Sequence, residues 1–239
     1  QSGGGGVMSW IDFWNRETSI YVNERHKALH YRGVAKDIAA LIEGENCRVL
    51  DHGSGEATSA DIVAAKCAVL YLCDAAPNTR AKIAARFAGD ARIRAILPDE
   101  VEAIEDRSLD LIVANSLLQY LDEATLESLL ELWKRKLKPA GTLVLADVIP
   151  PNVSPATDAL ALLRFAMDGG FVTAAAIGLA RTFFSDYRRL RSKLGVSTHA
   201  EADIVARLAR HGYSARRLAK NIGHNPERMS FAAVPASTV

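Results

Sequence analysis

Three cysteines in 239 residues, with no C-x-x-C spacing, exclude a disulfide framework and a thiolate metal site as organising features. Cys47, Cys67 and Cys73 each sit in or beside an apolar run, where a thiol behaves as a small hydrophobe in a reducing compartment. No metal ligand set is expected. Also missing are an apolar run long enough to cross a bilayer and a basic leader followed by an apolar stretch, so a cytoplasmic chain with no transmembrane segment is expected. Charge of one sign is missing too: the formal net charge is +1, which argues against a general nucleic-acid binder. There is no internal repeat and, beyond Gly3–Gly6, no low-complexity segment. Gln1–Val7, ahead of Met8, reads as a vector-derived leader.

What is present is an ordinary α/β composition, 49% apolar, with length for one domain over residues 8–239 and a full core. The charge is unevenly spread. Residues 1–150 carry 17 Lys and Arg against 22 Asp and Glu, and residues 151–239 carry 12 against 6. A basic last third suits an anionic partner or peripheral contact with a membrane surface.

The most informative stretch is Arg48-Val49-Leu50-Asp51-His52-Gly53-Ser54-Gly55-Glu56-Ala57, a short strand that runs into a glycine turn. A strand that reverses into a helix needs positive φ, and a ligand lying on the backbone leaves no room for a Cβ, so Gly53 and Gly55 suit a nucleotide-binding turn. The dinucleotide fingerprint asks for a third small residue, and Thr58 stands there instead. Asp51 would oppose a pyrophosphate. Both features disfavour an NAD-type reductase and favour a ligand with an amino group and a sulfonium. Ala68–Cys73 reads as a second buried strand ending at Asp74, roughly 20 residues past the turn, the distance at which an acid meets a ribose diol. Between them, Glu56 to Lys66 has the apolar spacing of a crossover helix.

Further along, Ser108–Asn115 reads as a strand, Leu126–Leu137 as an amphipathic helix and Lys138–Asp147 as a turn and strand. Ala215–Asn221 and Met229–Val234 read as a terminal strand pair. In this order the chain resembles the class I S-adenosylmethionine-dependent methyltransferases, whose first motif is a hydrophobic pair followed by D-x-G-x-G and whose fifth strand follows a K-P-G-G-x-L turn. Ala140 stands in place of that turn's first glycine. The resemblance implies a doubly wound α/β fold with a seven-stranded, mostly parallel sheet, an antiparallel C-terminal strand pair and helical lid segments. It implies a cofactor, S-adenosyl-L-methionine, with Asp51, Gly53, Ser54 and Gly55 at its methionine end and Asp74 and Ala75 at its ribose. Asp99 falls near the adenine, Asn115 beside the reacting centre, and Tyr31, on a helix ahead of the first strand, is a further cofactor contact. The segment Asn115–Tyr120 lacks the [ND]-P-P-[YFW] form used on nucleic-acid bases and glutamine, which points away from those acceptors.

Two segments can cover the cofactor edge and choose the acceptor: the helical stretch Trp10 to Glu43 and the insertion Pro150 to His199. The insertion's first half, Leu160 to Ala180, reads as one or two lid helices. Its second half, Arg181 to Leu194, sets Phe183, Tyr187, Leu190 and Leu194 on one stripe opposite a basic face. Either that helix packs with its arginines in solvent, or the lid admits a small hydrophobic acceptor, anionic or lipid-like. His26 and His30 lie one helical turn apart with no third ligand evident, the pattern of surface or capping histidines. Tyr120, His30 and His224 are the candidate proton acceptors. From a different class, the chain could bind S-adenosylmethionine without catalysis, as a partner or regulatory subunit.

Overall fold

The computed structural model describes residues 10–15, 21–44, 46–182 and 195–236. Seven strands form one sheet: β1 Arg48–His52, β2 Val69–Cys73, β3 Ile93–Ile96, β4 Leu109–Asn115, β5 Leu137–Val148, β6 Tyr213–Arg217 and β7 Met229–Pro235. Their order is β3-β2-β1-β4-β5-β7-β6. The first five are parallel, and β7 runs antiparallel to both β5 and β6. This is the sheet expected from the sequence.

The central strands are buried on both faces, so they read as continuous apolar runs without polar alternation. Val49 points into one core with Val34 and Ile38 of α2 (Glu24–Ala39), Val63 of α3 (Ala60–Ala64) and Ile83 of α4 (Pro77–Arg86). Leu50 points into the other with Leu130 and Trp133 of α5 (Glu123–Lys136) and Leu208 of α8 (Glu201–Arg210). Trp133 is fully buried, and its indole N–H donates to His52 Nδ1 at 3.1 Å. Removing that ring leaves both a cavity and an orphaned buried acceptor. Trp133→Ala is therefore expected to lower the unfolding free energy by about 3–5 kcal/mol, measured by urea denaturation.

Two helices form a lid hairpin: α6 (Pro155–Gly169) and α7 (Val172–Thr182). Ser154 caps the start of α6 by accepting from the Thr157 N–H. Gly170, left-handed at φ 69°, ends α6, the geometry that glycine adopts without a Cβ penalty. Phe171 and Ala175 then pack on Leu29 of α2 and on Val22 just ahead of it. A short helix, α1 (Trp10–Trp14), opens the described chain.

Several boundaries differ from expectation. The helix expected over residues 56–66 is only Ala60–Ala64, because left-handed Ala57 (φ 40°) prevents a helical start at Glu56. The turn expected at residues 138–141 is absorbed into β5, with a register shift between Leu109 and Leu111 on β4. Gly141 is needed there, since a Cβ would meet the Leu109 carbonyl at 2.8 Å. α5 starts three residues earlier than expected, where Asp122 accepts from the Thr125 N–H. β6 lies two residues earlier than expected, the chain from Asn221 onward being engaged in side-chain hydrogen bonds. β3 was not foreseen. The three cysteines are free and buried, as expected. From residue 183 on, the basic helix expected over residues 181–194 lies outside the described residues.

Candidate cofactor and acceptor site

The strand order reverses between β1 and β4, so a crevice opens at their carboxyl ends. Asp51 and the glycine turn end β1 there. Gly53 (φ 84°) and Gly55 (φ 57°) take conformations that favour glycine. The N–H groups of Gly53 and Ser54 donate to the Cys73 carbonyl, which fixes the turn to β2. Asp74 does the same from its side chain: Oδ2 accepts from Gly55 N–H at 3.0 Å and Oδ1 from Ala76 N–H at 2.9 Å. Close neighbours also require the glycines. A Cβ on Gly55 would lie 2.6 Å from Tyr31 Oη, and one on Gly53 would lie 3.0 Å from Leu117 Cδ1. Tyr31 Oη in turn accepts from the Glu56 N–H at 3.0 Å.

The electrostatics at this edge are one-sided. Asp51 is buried, and its Oδ1 has no partner. Desolvation, then the charge of Asp74, raises its carboxyl to about 7. Asn115 Oδ1 and Gln119 Oε1 are also buried without partners. Three orphaned acceptors at the carboxyl ends of neighbouring strands fit a ligand that brings donors, above all a cationic amino group.

On the acceptor side, the structure corrects the expectation for His26 and His30. His26 does cap, its Nδ1 accepting from the Val22 N–H at 3.3 Å ahead of α2, but neither is a plain surface group: both belong to an aromatic cluster that joins α2, the lid and the β6–β7 loop, with His224 as a third imidazole. Ring centroids of His26 and His30 lie 6.2 and 5.9 Å from that of His224. Phe165 stacks on His224 at 4.5 Å and Phe171 on His26 at 5.2 Å. Tyr21 bridges to the cofactor turn, 5.4 Å from His30 and 5.7 Å from Tyr31. No three-residue metal cluster occurs among the described residues.

Desolvation, followed by the neighbouring imidazoles, pushes His26 down to about 4 and His30 to about 3; His224 is lowered as well, mainly by burial. An unfolded histidine titrates near 6.5. The depressed folded values add stability that is complete above about pH 6.5 and is lost as pH falls toward 4. The melting temperature is expected to drop on acidification from pH 7 to pH 5, and to drop less in His30→Gln.

The sequence reading missed a second feature. Ser116 (φ 54°) and Asp147 (φ 55°) are both left-handed, at the ends of β4 and β5, and Ser116 Oγ donates to Asp147 Oδ2 at 2.7 Å. Asn221 Oδ1 accepts from the Asp147 N–H and from Ser230 Oγ. Burial raises the Asp147 carboxyl. Strained non-glycine residues concentrate at functional edges, but this strain leaves no mark in residue type.

Other expected site residues are placed less centrally. Asp99 is exposed in a 3-10 turn after β3, and Ala75 is exposed beside Asp74. Ser54 is buried in the turn. Tyr120 packs against Trp10 with tilted rings at 4.7 Å and edge-on to Trp14 at 5.8 Å. A groove of about 640 Å³ lined by Arg107, Lys134, Arg135 and Arg210 lies at the amino ends of β4 and β5, away from this edge.

Residues 50–145 match the family model described as a methyltransferase domain. The segment spans β1 to β5, including the glycine turn, Asp74 and Asn115. That match, to a methyltransferase domain, covers about two fifths of the chain and contains the D-x-G-x-G turn that carries the resemblance to the class I S-adenosylmethionine-dependent methyltransferases. Solved structures share the fold. A putative methyltransferase from a complex with the Haloferax volcanii Trm112 methyltransferase activator has a TM-score of 0.62 at 12% identity, over 97% of this chain and 100% of its own. The YcgJ protein from Bacillus subtilis has a TM-score of 0.60 at 13% identity, over 87% and 100%. The magnesium protoporphyrin IX methyltransferase from Synechocystis PCC 6803, with bound S-adenosylhomocysteine, has a TM-score of 0.58 at 16% identity, over 95% and 93%. No curated protein sequence matches the chain.

The orphaned acceptors fit S-adenosylmethionine, which presents an ammonium group and would supply an electrophilic methyl on a sulfonium. No helix among the described residues is long and apolar enough to cross a membrane.

Proposed function

We propose that this methyltransferase moves a methyl group to a small hydrophobic acceptor that enters beneath the α6–α7 lid. The aromatic cluster of Tyr21, His26, His30, Phe165, Phe171 and His224 next to the cofactor turn carries this reading. Flat rings reject water and align an apolar acceptor, and alignment supplies much of the rate in an in-line displacement. Cations bordering the cluster are engaged: Arg228 with Asp158, and Arg25 with the Gly169 carbonyl. That favours an acceptor uncharged at this end over an anionic one.

In this reading Asp51 and Asn115 accept from the cofactor's amino group, and Asp74 accepts from the ribose while it holds the turn. Gly53, Ser54, Gly55 and Tyr31 surround the methionine end; Ala75 and Asp99 border the ribose and adenine. His30 and His224 are neutral near pH 7 and face the acceptor. His30, with a value near 3, orients an acceptor hydroxyl or amine by accepting its hydrogen bond, which leaves His224 as the proton acceptor. Tyr120 forms a wall with Trp10.

Incubation with methyl-labelled S-adenosylmethionine and a panel of small hydroxylated and amino-substituted aromatic and aliphatic compounds tests this reading. Label is expected in at least one apolar acceptor, and at least about tenfold less in His224→Gln. Cofactor binding with no transfer to any acceptor class would instead support a binding partner without catalysis.

A further inference from the structure

Six large apolar side chains stand exposed among the described residues, and four of them lie on the two lid helices: Leu160 (47%), Met167 (62%), Val172 (44%) and Ile177 (53%). Scattered exposed apolar residues need no explanation, whereas a concentration does. Leu160 and Met167 are two turns apart on one face of α6. Met167 and Val172 flank the Gly170 turn, from which α7 folds back. The hairpin's inner side is already occupied, with Ala166, Phe171 and Ala175 packed toward α2. Between Leu160 and Ile177 the only exposed charges are Arg164 and Asp168.

The charge that follows this hairpin in sequence suits one kind of surface. Residues 181–193 carry Arg181, Arg188, Arg189, Arg191 and Lys193 against a single acid, Asp186. An apolar face continuous in sequence with a cluster of cations combines the two attractions, burial at the acyl boundary and electrostatics, that hold proteins on anionic lipid.

We propose that the outer face of the α6–α7 hairpin docks on an anionic bilayer. This surface is separate from the methyl-transfer chemistry, but it places the lid that covers the acceptor site against lipid.

Co-sedimentation of the full chain with vesicles of phosphatidylcholine alone, or of phosphatidylcholine with phosphatidylglycerol, tests the proposal. The protein is expected to pellet with the phosphatidylglycerol vesicles, far less with phosphatidylcholine alone, and less in high salt. Met167→Asp/Ile177→Asp is expected to lower the partition coefficient at least about tenfold with its melting temperature and S-adenosylhomocysteine binding retained. Leu160→Asp/Val172→Asp serves as an independent variant should the first fail to fold. Equal pelleting of wild type and folded variants, or no preference for phosphatidylglycerol, overturns the proposal. A wild-type dimer that the variants convert to monomer, without vesicle binding, overturns it in favour of a second copy on this face. Vesicle binding by a chain that does not bind S-adenosylhomocysteine leaves the docking intact and removes the methyl-transfer reading.

Discussion

Asp74→Ala is expected to weaken S-adenosylhomocysteine binding at least about a hundredfold. The carboxylate has two duties at the carboxyl end of β2. It accepts the Gly55 and Ala76 N–H groups, and in the proposed reading it also accepts from the ribose diol. Its removal leaves two backbone donors unsatisfied, at about 1–3 kcal/mol each where they stay buried, and it removes a charge-assisted hydrogen bond to the ligand. Each 1.4 kcal/mol is about tenfold in affinity, so two decades is a conservative sum. Asp74→Asn keeps one acceptor oxygen and should recover part of the loss. Calorimetric titration of both variants, beside their melting temperatures, separates lost contacts from lost folding.

Cofactor binding is expected to release close to one proton below pH 7, with Asp51 as its source. The carboxyl is held at about 7 by burial and by Asp74, against about 3.9 in an unfolded chain. With the folded value raised, Asp51's contribution to stability is complete below about pH 4 and is lost as pH rises through 7. A cationic amino group beside Oδ1 reverses the preference and favours the carboxylate. Affinity should therefore rise with pH, by up to about tenfold per unit, and level off above about pH 7. Titrations at pH 6 in two buffers of different ionisation enthalpy count the protons. Asp51→Asn should abolish both the release and the slope, bind more weakly at pH 8, and be more stable than wild type at neutral pH. A slope unchanged in Asp51→Asn would place the proton elsewhere, the histidine cluster being the next source to test.

These two residues also mark what the sequence made legible. The cofactor half is written locally: Asp51, Gly53, Gly55 and Asp74 each announce themselves through a strand pattern, a backbone requirement or a spacing, and the structure brings them to one edge. The sheet's architecture came from the family resemblance, while the long apolar runs of buried parallel strands made β1, β2, β4 and β5 visible one by one. β3 escaped notice because its short, partly exposed Ile-Arg-Ala-Ile run has too little periodicity to separate it from a loop. The acceptor half is assembled from remote segments. His26 and His224 lie nearly two hundred residues apart, and the third imidazole that changes the meaning of His26 and His30 comes from a loop whose position depends on β6 and β7. The Ser116–Asp147 pair was hidden for another reason. Its left-handed backbone at two non-glycine residues is imposed by the tertiary network through Asn221 and Ser230, not by local propensity.

The most direct test is a calorimetric titration of the full chain with S-adenosylhomocysteine, run beside NADH. The fold, the glycine turn and the orphaned acceptors of Asp51 and Asn115 predict saturable binding of S-adenosylhomocysteine at one site and no binding of NADH. Binding of NADH without S-adenosylhomocysteine would contradict the assignment of this edge and require the glycine turn to be reinterpreted as a dinucleotide site.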